Sequence, residues 1–244
     1  MKPYYRVILL VLASDDNKLY KEFRKIYHAY HDVNPNVKVL MLYGSDTDFD
    51  RQEHDLIFDD IEENYYPGMI TKTMRGMEYI ENNYDYDFLL RTNISTFWDF
   101  ETLLNRLDRE PKENCFTGTL RTCVYIDRKS PNYVSGVDLL LSRDLVQEMV
   151  RNQKEVISEN LPEDWALSQF FIDRNMKPRA SNPRAIHFME HFTHFDRDLV
   201  LKEIESARQQ NHDHFRIKSR KHRETIDVEI AKILLQEYYG KTIL

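Results

Sequence analysis

The residues best placed to do chemistry fall in three short segments and one basic run. Phe88-Leu-Leu-Arg91 is a buried, strand-like stretch that runs straight into Thr92-Asn93-Ile94-Ser95, so it delivers polar side chains to a strand end. Ser130 to Val146 carries Tyr133, Gly136 and Asp138 ahead of another apolar strand. Pro162-Glu163-Asp164 opens a helix, since proline suits a first turn and acids suit the positive end of the helix dipole. A carboxylate there can take a proton from a hydroxyl, the task of a general base. It can equally be an ordinary helix-start acid. The basic run His212-Asp-His-Phe-Arg-Ile-Lys-Ser-Arg-Lys-His-Arg223 can neutralise an anionic ligand or form a solvated face. His187, His191 and His194 lie among Phe188, Phe192 and Phe195, a setting that favours packing over a histidine-only metal site.

An alternating α/β chain must hold these groups. Tyr5 to Leu12 is a continuous apolar run, as in a parallel strand covered on both faces. The turn formers Ser14 to Asn17 follow, then Leu19 to Tyr30 at helical spacing, then a second apolar run from Val37 to Tyr43. Such β-α-β units place ligands at the carboxyl ends of the strands. Further expected elements are a strand at 55–58, a helix at 70–79, a short helix at 100–107, and a strand pair or hairpin within 116–126. A strand at 137–141 follows, with Ser142 capping the next helix, and then helices at 162–174 and 225–239, the last one amphipathic. Glycine-rich phosphate loops, GxSxG elbows, HExxH helices and CxxC pairs are all absent.

Composition narrows the class. The chain has 244 residues and a formal net charge of −7, which argues against coating nucleic acid. Its two cysteines, Cys115 and Cys123, cannot build a disulfide framework and fit a reducing compartment. The longest apolar run is far short of the roughly 20 residues of a membrane span, and no secretory signal is visible. A cytoplasmic setting is therefore expected. The residue bias, rich in Asn, Ile, Lys and Tyr and holding only six Gly, suits an AT-rich microbial or viral genome.

Five segments in colinear order resemble the inverting β-1,3-glycosyltransferases of the galactosyltransferase, N-acetylglucosaminyltransferase and Fringe group. That family's KTDDDVFVNVDNLL is similar to Arg91 to Leu104 (RTNISTFWDFETLL), its YPPYCSGGGYVLSRDLV to Ser130 to Val146, and its PEDVALG to Pro162 to Ser168. Its IRKTW and YYNLTLKT are similar to Phe23-Arg-Lys-Ile-Tyr27 and Asn64 to Thr73. The resemblance spans roughly Tyr5 to Arg174. It implies a GT-A-like α/β core over 1–196, a Rossmann-type, mostly parallel sheet flanked by helices. A polar helical region over 197–244 would pack on that core or close over it.

The resemblance also implies an activity: transfer of a sugar from a nucleotide-diphosphate donor, a UDP-sugar, to a glycan hydroxyl with inversion. Asp164 matches the family's general base. Ser14, Arg24, Lys72, Arg91, Asn93 and Ser95 match positions near the donor, and Tyr133, Gly136 and Trp165 match the acceptor side. The family's metal-binding Asp triplet is replaced by Asn93-Ile94-Ser95, which are poor ligands for Mn²⁺ or Mg²⁺. No metal residue is assigned. Arg216 and Lys218, with Arg220 and Lys221, are the candidates to neutralise the leaving diphosphate instead. Val137 and Asp138 replace family glycines and alter the acceptor loop. The reading from another class is a non-catalytic sugar- or nucleotide-binding protein that kept the fold after the triplet was lost.

Overall fold

The computed structural model describes residues 1–45, 47–122, 124–125, 128–129, 133–181 and 186–243. Cys123, Ile126 and Ser130 to Asn132, which belong to segments named above, lie outside the described residues.

The chain runs β1 (Tyr4–Leu12), α1 (Lys18–Tyr30), β2 (Val37–Tyr43), β3 (Asp55–Ile57), α2 (Gly68–Asn83), β4 (Asp85–Asn93), β5 (Thr96–Trp98) and α3 (Phe100–Leu107). There follow the short strands β6 (Phe116–Gly118), β7 (Leu120–Arg121), β8 (Val124–Tyr125), β9 (Arg128–Lys129) and β10 (Tyr133–Val134). Then come β11 (Leu139–Ser142), α4 (Arg143–Arg151), α5 (Gln153–Ser158), α6 (Glu163–Ile172), β12 (Arg179–Ala180) and β13 (Ile186–Met189). The chain closes with α7 (Arg197–Gln209), β14 (His214–Ile217) and α8 (Arg223–Tyr239).

A seven-stranded sheet in the order β12-β6-β11-β4-β1-β2-β3 forms the centre. Six of its strands share one direction, and β11 runs against both β4 and β6. The mostly parallel, helix-flanked α/β class expected from the sequence is the observed one. Strand β1 shows why its sequence is apolar throughout. Val7, Leu9 and Val11 face a layer containing α1, α3 and α8, whereas Ile8 and Leu10 face α2, α4 and α6. Both faces are covered, so no polar alternation survives. Helix α2 lies close to the sheet at Gly76, where a β-carbon would press on the side chains of Leu42 and Leu10.

Helix starts follow local chemistry. The Asn17 carboxamide accepts from Tyr20 N at 3.0 Å, and Asp196 caps α7 through Leu199 N at 3.0 Å. Ser142 does precede α4, but its hydroxyl accepts from the Cys115 backbone N–H at 2.8 Å and caps nothing. The described strands within 116–126, expected as a strand pair or hairpin, do not pair with one another. β6 joins the main sheet, whereas β7 pairs with β10 and β8 with β9. Val137 and Asp138 form a turn before β11 instead of its first residues.

A second sheet, in the order β13-β14-β5, covers one layer of the core. β14 is parallel to β13 and antiparallel to β5, so a C-terminal strand is stitched to the segment just after β4. Helix α8 is buried on more than one side, through Ile226, Val228, Ile230, Ala231, Ile233, Leu234 and Leu235, instead of presenting a single apolar stripe. Among the described residues, no helix is long and apolar enough to cross a membrane.

Candidate active site

A cleft of about 340 Å³ opens at the carboxyl ends of β1 and β4. The chain leaves β1 toward β2 on one side, while β4 lies on the other. That reversal is the place where open α/β sheets hold ligands. Ala13 and Ser14 line the cleft after β1, and Asp16 and Tyr20 line it from the start of α1. Asn64, Met69 and Lys72 come from α2 and its approach, Asn93 and Ser95 from the end of β4, and Arg216 from β14.

The cleft's two cations are held differently. Lys72 is buried, donates to the Ala13 carbonyl at 2.8 Å, and meets both Glu63 carboxylate oxygens at 2.7 Å. Glu63 also accepts from the Gly44 backbone N–H at 2.6 Å. Burial lowers the Lys72 pKa, and the Glu63 carboxylate works against that shift. Arg216 is half-buried and donates to the Ser95 hydroxyl. Among the described residues it has no carboxylate at ion-pair distance. Burial and, next, the neighbouring Arg223 push its pKa down. Glu190, beyond ion-pair distance, only partly opposes that shift, and a desolvated guanidinium without a paired carboxylate, facing an open cleft, is a site for an anion.

The Asn-Ile-Ser loop does not suit a divalent ion. Asn93 Oδ1 accepts from Arg91 Nη1 at 2.8 Å, and Ser95 Oγ already receives Arg216. The oxygens a hard cation needs are thus turned toward two guanidiniums. Among the described residues, no group of three His, Cys, Asp or Glu side chains is arranged to hold a metal. His187 is wedged between His212 Nδ1 at 3.0 Å and Glu203 at 2.6 Å, while His191 and His194 are exposed.

Behind the cleft, Arg91 joins three elements. Its Nε and Nη2 meet the two oxygens of Glu163 at 2.9 and 2.5 Å, and its Nη1 reaches Asn93 and the Gly136 carbonyl. Glu163 is buried and also accepts from the Thr73 hydroxyl at 2.8 Å. Burial drives its pKa upward, with Arg91 opposing. Asp164, next on the first turn of α6, is half-buried. Its Oδ2 accepts from the Gly136 N–H and its Oδ1 from the Trp165 N–H, each at 3.0 Å. Gly136 therefore binds Arg91 through its carbonyl and Asp164 through its N–H. A β-carbon there would run into the Arg91 guanidinium, so any larger residue must displace it from Glu163.

Of the residues singled out from sequence, Ser14, Lys72, Asn93, Ser95 and Arg216 meet in the cleft. Arg91 backs it without lining it. Arg24 points elsewhere: it pairs with Asp55 at 2.6 Å and lies over the Phe49 ring. Lys218 is exposed and lines a neighbouring groove. Trp165 is buried and stacks with the half-buried Tyr133, ring centroids 6.1 Å apart, so Tyr133 is the ring nearer solvent. Glu63, Asp16 and Tyr20 were not foreseen. Glu63 stands nine residues before Lys72, outside any helical spacing, so nothing local pairs the two.

The fold has known counterparts. A bifunctional glycosyltransferase, WbbM, superposes with a TM-score of 0.55 at 10% identity over 99% of this chain. This chain spans about half of WbbM, 52% of its length. A glycosyltransferase involved in glycosylation of the major capsid of PBCV-1 gives 0.51 at 8% identity, covering 92% of this chain and 98% of the other. GlyE of Streptococcus pneumoniae TIGR4 gives 0.51 at 11% identity, covering 97% and 63%. The architecture is that of GT-A glycosyltransferases. No protein-family model and no curated protein sequence matches the chain.

Proposed function

We propose that this chain transfers a sugar from a nucleotide-diphosphate donor, a UDP-sugar, to a carbohydrate hydroxyl with inversion and without a metal ion. The observation that carries the reading is Arg216, a half-buried guanidinium with no acidic partner among the described residues, aimed into the cleft at the sheet's switch point. There it takes the place of a divalent cation on the leaving diphosphate. Strand β14 carries this residue between β13 and β5.

The remaining roles come from the sequence resemblance: Asn93 lines the cleft, whereas Asp164 lies behind it, joined to it through Gly136 and Arg91. The Asn93 carboxamide, its oxygen held by Arg91, keeps its N–H donors for a ribose hydroxyl. Asp164 is the base. As the acceptor oxygen bonds to the anomeric carbon, its proton passes to Asp164, and the bond from that carbon to the diphosphate oxygen breaks with its electron pair leaving on the nucleotide. The two backbone N–H groups fix the carboxylate for this task, and Tyr133 flanks the acceptor.

The test is calorimetric titration with UDP and a panel of UDP-sugars, once with Mn²⁺ and once with EDTA. Binding that persists in EDTA is the expected result. Binding only with Mn²⁺ removes the metal-free mechanism, and no binding in either condition removes the UDP-sugar reading.

A further inference from the structure

A groove of about 590 Å³ lies beside the cleft, lined by Phe188, Glu190, His191, Lys218, Ser219, Arg220 and Arg223. Its charges do not cancel. Arg223 is neutralised by Asp227 at 2.8 Å, and Glu190 contributes one negative charge. Lys218 and Arg220 are exposed and, among the described residues, neither has a carboxylate at ion-pair distance. Arg121, also without such a partner, sits over the exposed Phe188 ring, 5.6 Å from its centre. Lys218 and Arg220 on the groove and Arg121 beside it thus outnumber the groove's one Glu, in a protein whose net charge is −7.

The groove and the cleft share no lining residue, but a chain of register and ring contacts links them. Lys218 follows directly on β14, two residues after Arg216. Arg216 pairs in register with Phe188 on β13. Above Phe188, Arg121 of β7 pairs in register with Tyr133 of β10, and Tyr133 stacks on Trp165, the neighbour of Asp164. A path of polar and aromatic groups therefore leads from the base, past Tyr133, Arg121 and Phe188, to Lys218 and Arg220.

We infer that this groove holds the part of the acceptor glycan beyond the reacting sugar, and that this part is anionic, bearing a carboxylate or phosphate. The inference rests on the glycosyltransferase reading and names the acceptor class that reading leaves open. Phe188 offers an apolar surface for a sugar face, and the cations offer charge-assisted hydrogen bonds to the acid group.

The experiment uses two matched pairs of probes on the full chain with UDP present: tetragalacturonate against its methyl ester, and glucose 6-phosphate against glucose. At least one acid binds about tenfold tighter than its neutral partner, the worth of one hydrogen bond to a charged group. The pair that discriminates tells carboxylate from phosphate. The Lys218→Ala/Arg220→Ala variant loses the preference and still binds UDP like the parent. Equal binding within both pairs overturns the inference, as does a preference that survives the double variant. UDP binding, read in the same titrations, keeps the two ideas apart. Intact UDP binding without acid preference sinks the anionic acceptor alone, whereas absent UDP binding sinks the donor reading. An acid preference abolished by the double variant supports the groove in either case.

Discussion

The cleft has two cationic walls, and they are built on opposite plans. On one, Lys72 is locked to Glu63 and the Ala13 carbonyl, so the wall is neutral before any ligand arrives. On the other, Arg216 touches a serine hydroxyl and no acid among the described residues. A neutral, hydrogen-bonding wall suits an uncharged portion of a ligand, and an uncompensated wall suits its anionic portion. Under the proposed function, the contrast assigns the nucleoside to the Lys72 and Glu63 side and the diphosphate to the Arg216 side.

Replacing Asp164 by Asn separates both walls from the chemistry. Transfer falls by about 10²–10⁴-fold, the usual worth of a positioned base, while UDP titration is unchanged. Wild-type turnover by that variant would take Asp164 out of the mechanism. Breaking the joint behind the walls is the next largest effect. Arg91→Met leaves Glu163 buried without its partner and lowers unfolding free energy by about 3–5 kcal/mol in denaturant titration. A loss near zero would mean the pair is dispensable.

The walls themselves are distinguished by comparing UDP with uridine. Arg216→Ala weakens UDP by about 10–100-fold, as expected for one or two hydrogen bonds to a charged group, and leaves uridine unaffected. Lys72→Met changes both ligands by the same factor. Equal effects of Arg216→Ala on both ligands would erase the contrast. The smallest effect comes with acid. Burial lowers the pKa of His212, just ahead of the strand carrying Arg216, to about 4, with His187 adding to the shift. His54, at the far edge of the sheet, is lowered to about 4 by burial and then His31. A histidine depressed in the folded state contributes stability above its unfolded pKa of about 6.5. That contribution is lost as pH falls from there toward 4. Thermal midpoints measured over this range decline for the parent and decline less for His212→Gln.

Local pattern carried the framework. β1, β2 and β4 are apolar because both faces are covered, and α1 shows its buried stripe of Leu19, Phe23, Ile26, Tyr27 and Tyr30 at helical spacing. What the sequence could not show is partnership. Arg24, Arg91 and Arg216 look alike as letters. The first is spent on Asp55, the second on Glu163, 72 residues away, and the third remains for the cleft. Those fates depend on which distant elements become neighbours. The same holds for Phe188 and Arg121, which become one surface only when β7 and β13 meet.

Strand β11 runs opposite to its neighbours, with Leu139 beside Arg91 near the carboxyl end of β4. In a wholly parallel sheet, the segment entering that strand would lie at the far rim, out of reach of any ligand. Reversal turns the strand's inlet into an additional rim loop, and that loop carries Tyr133, Gly136 and Asp138. Gly136 on this loop meets Arg91 through its carbonyl and Asp164 through its N–H, so a single backward strand is what brings the end of β4 and the start of α6 to one point.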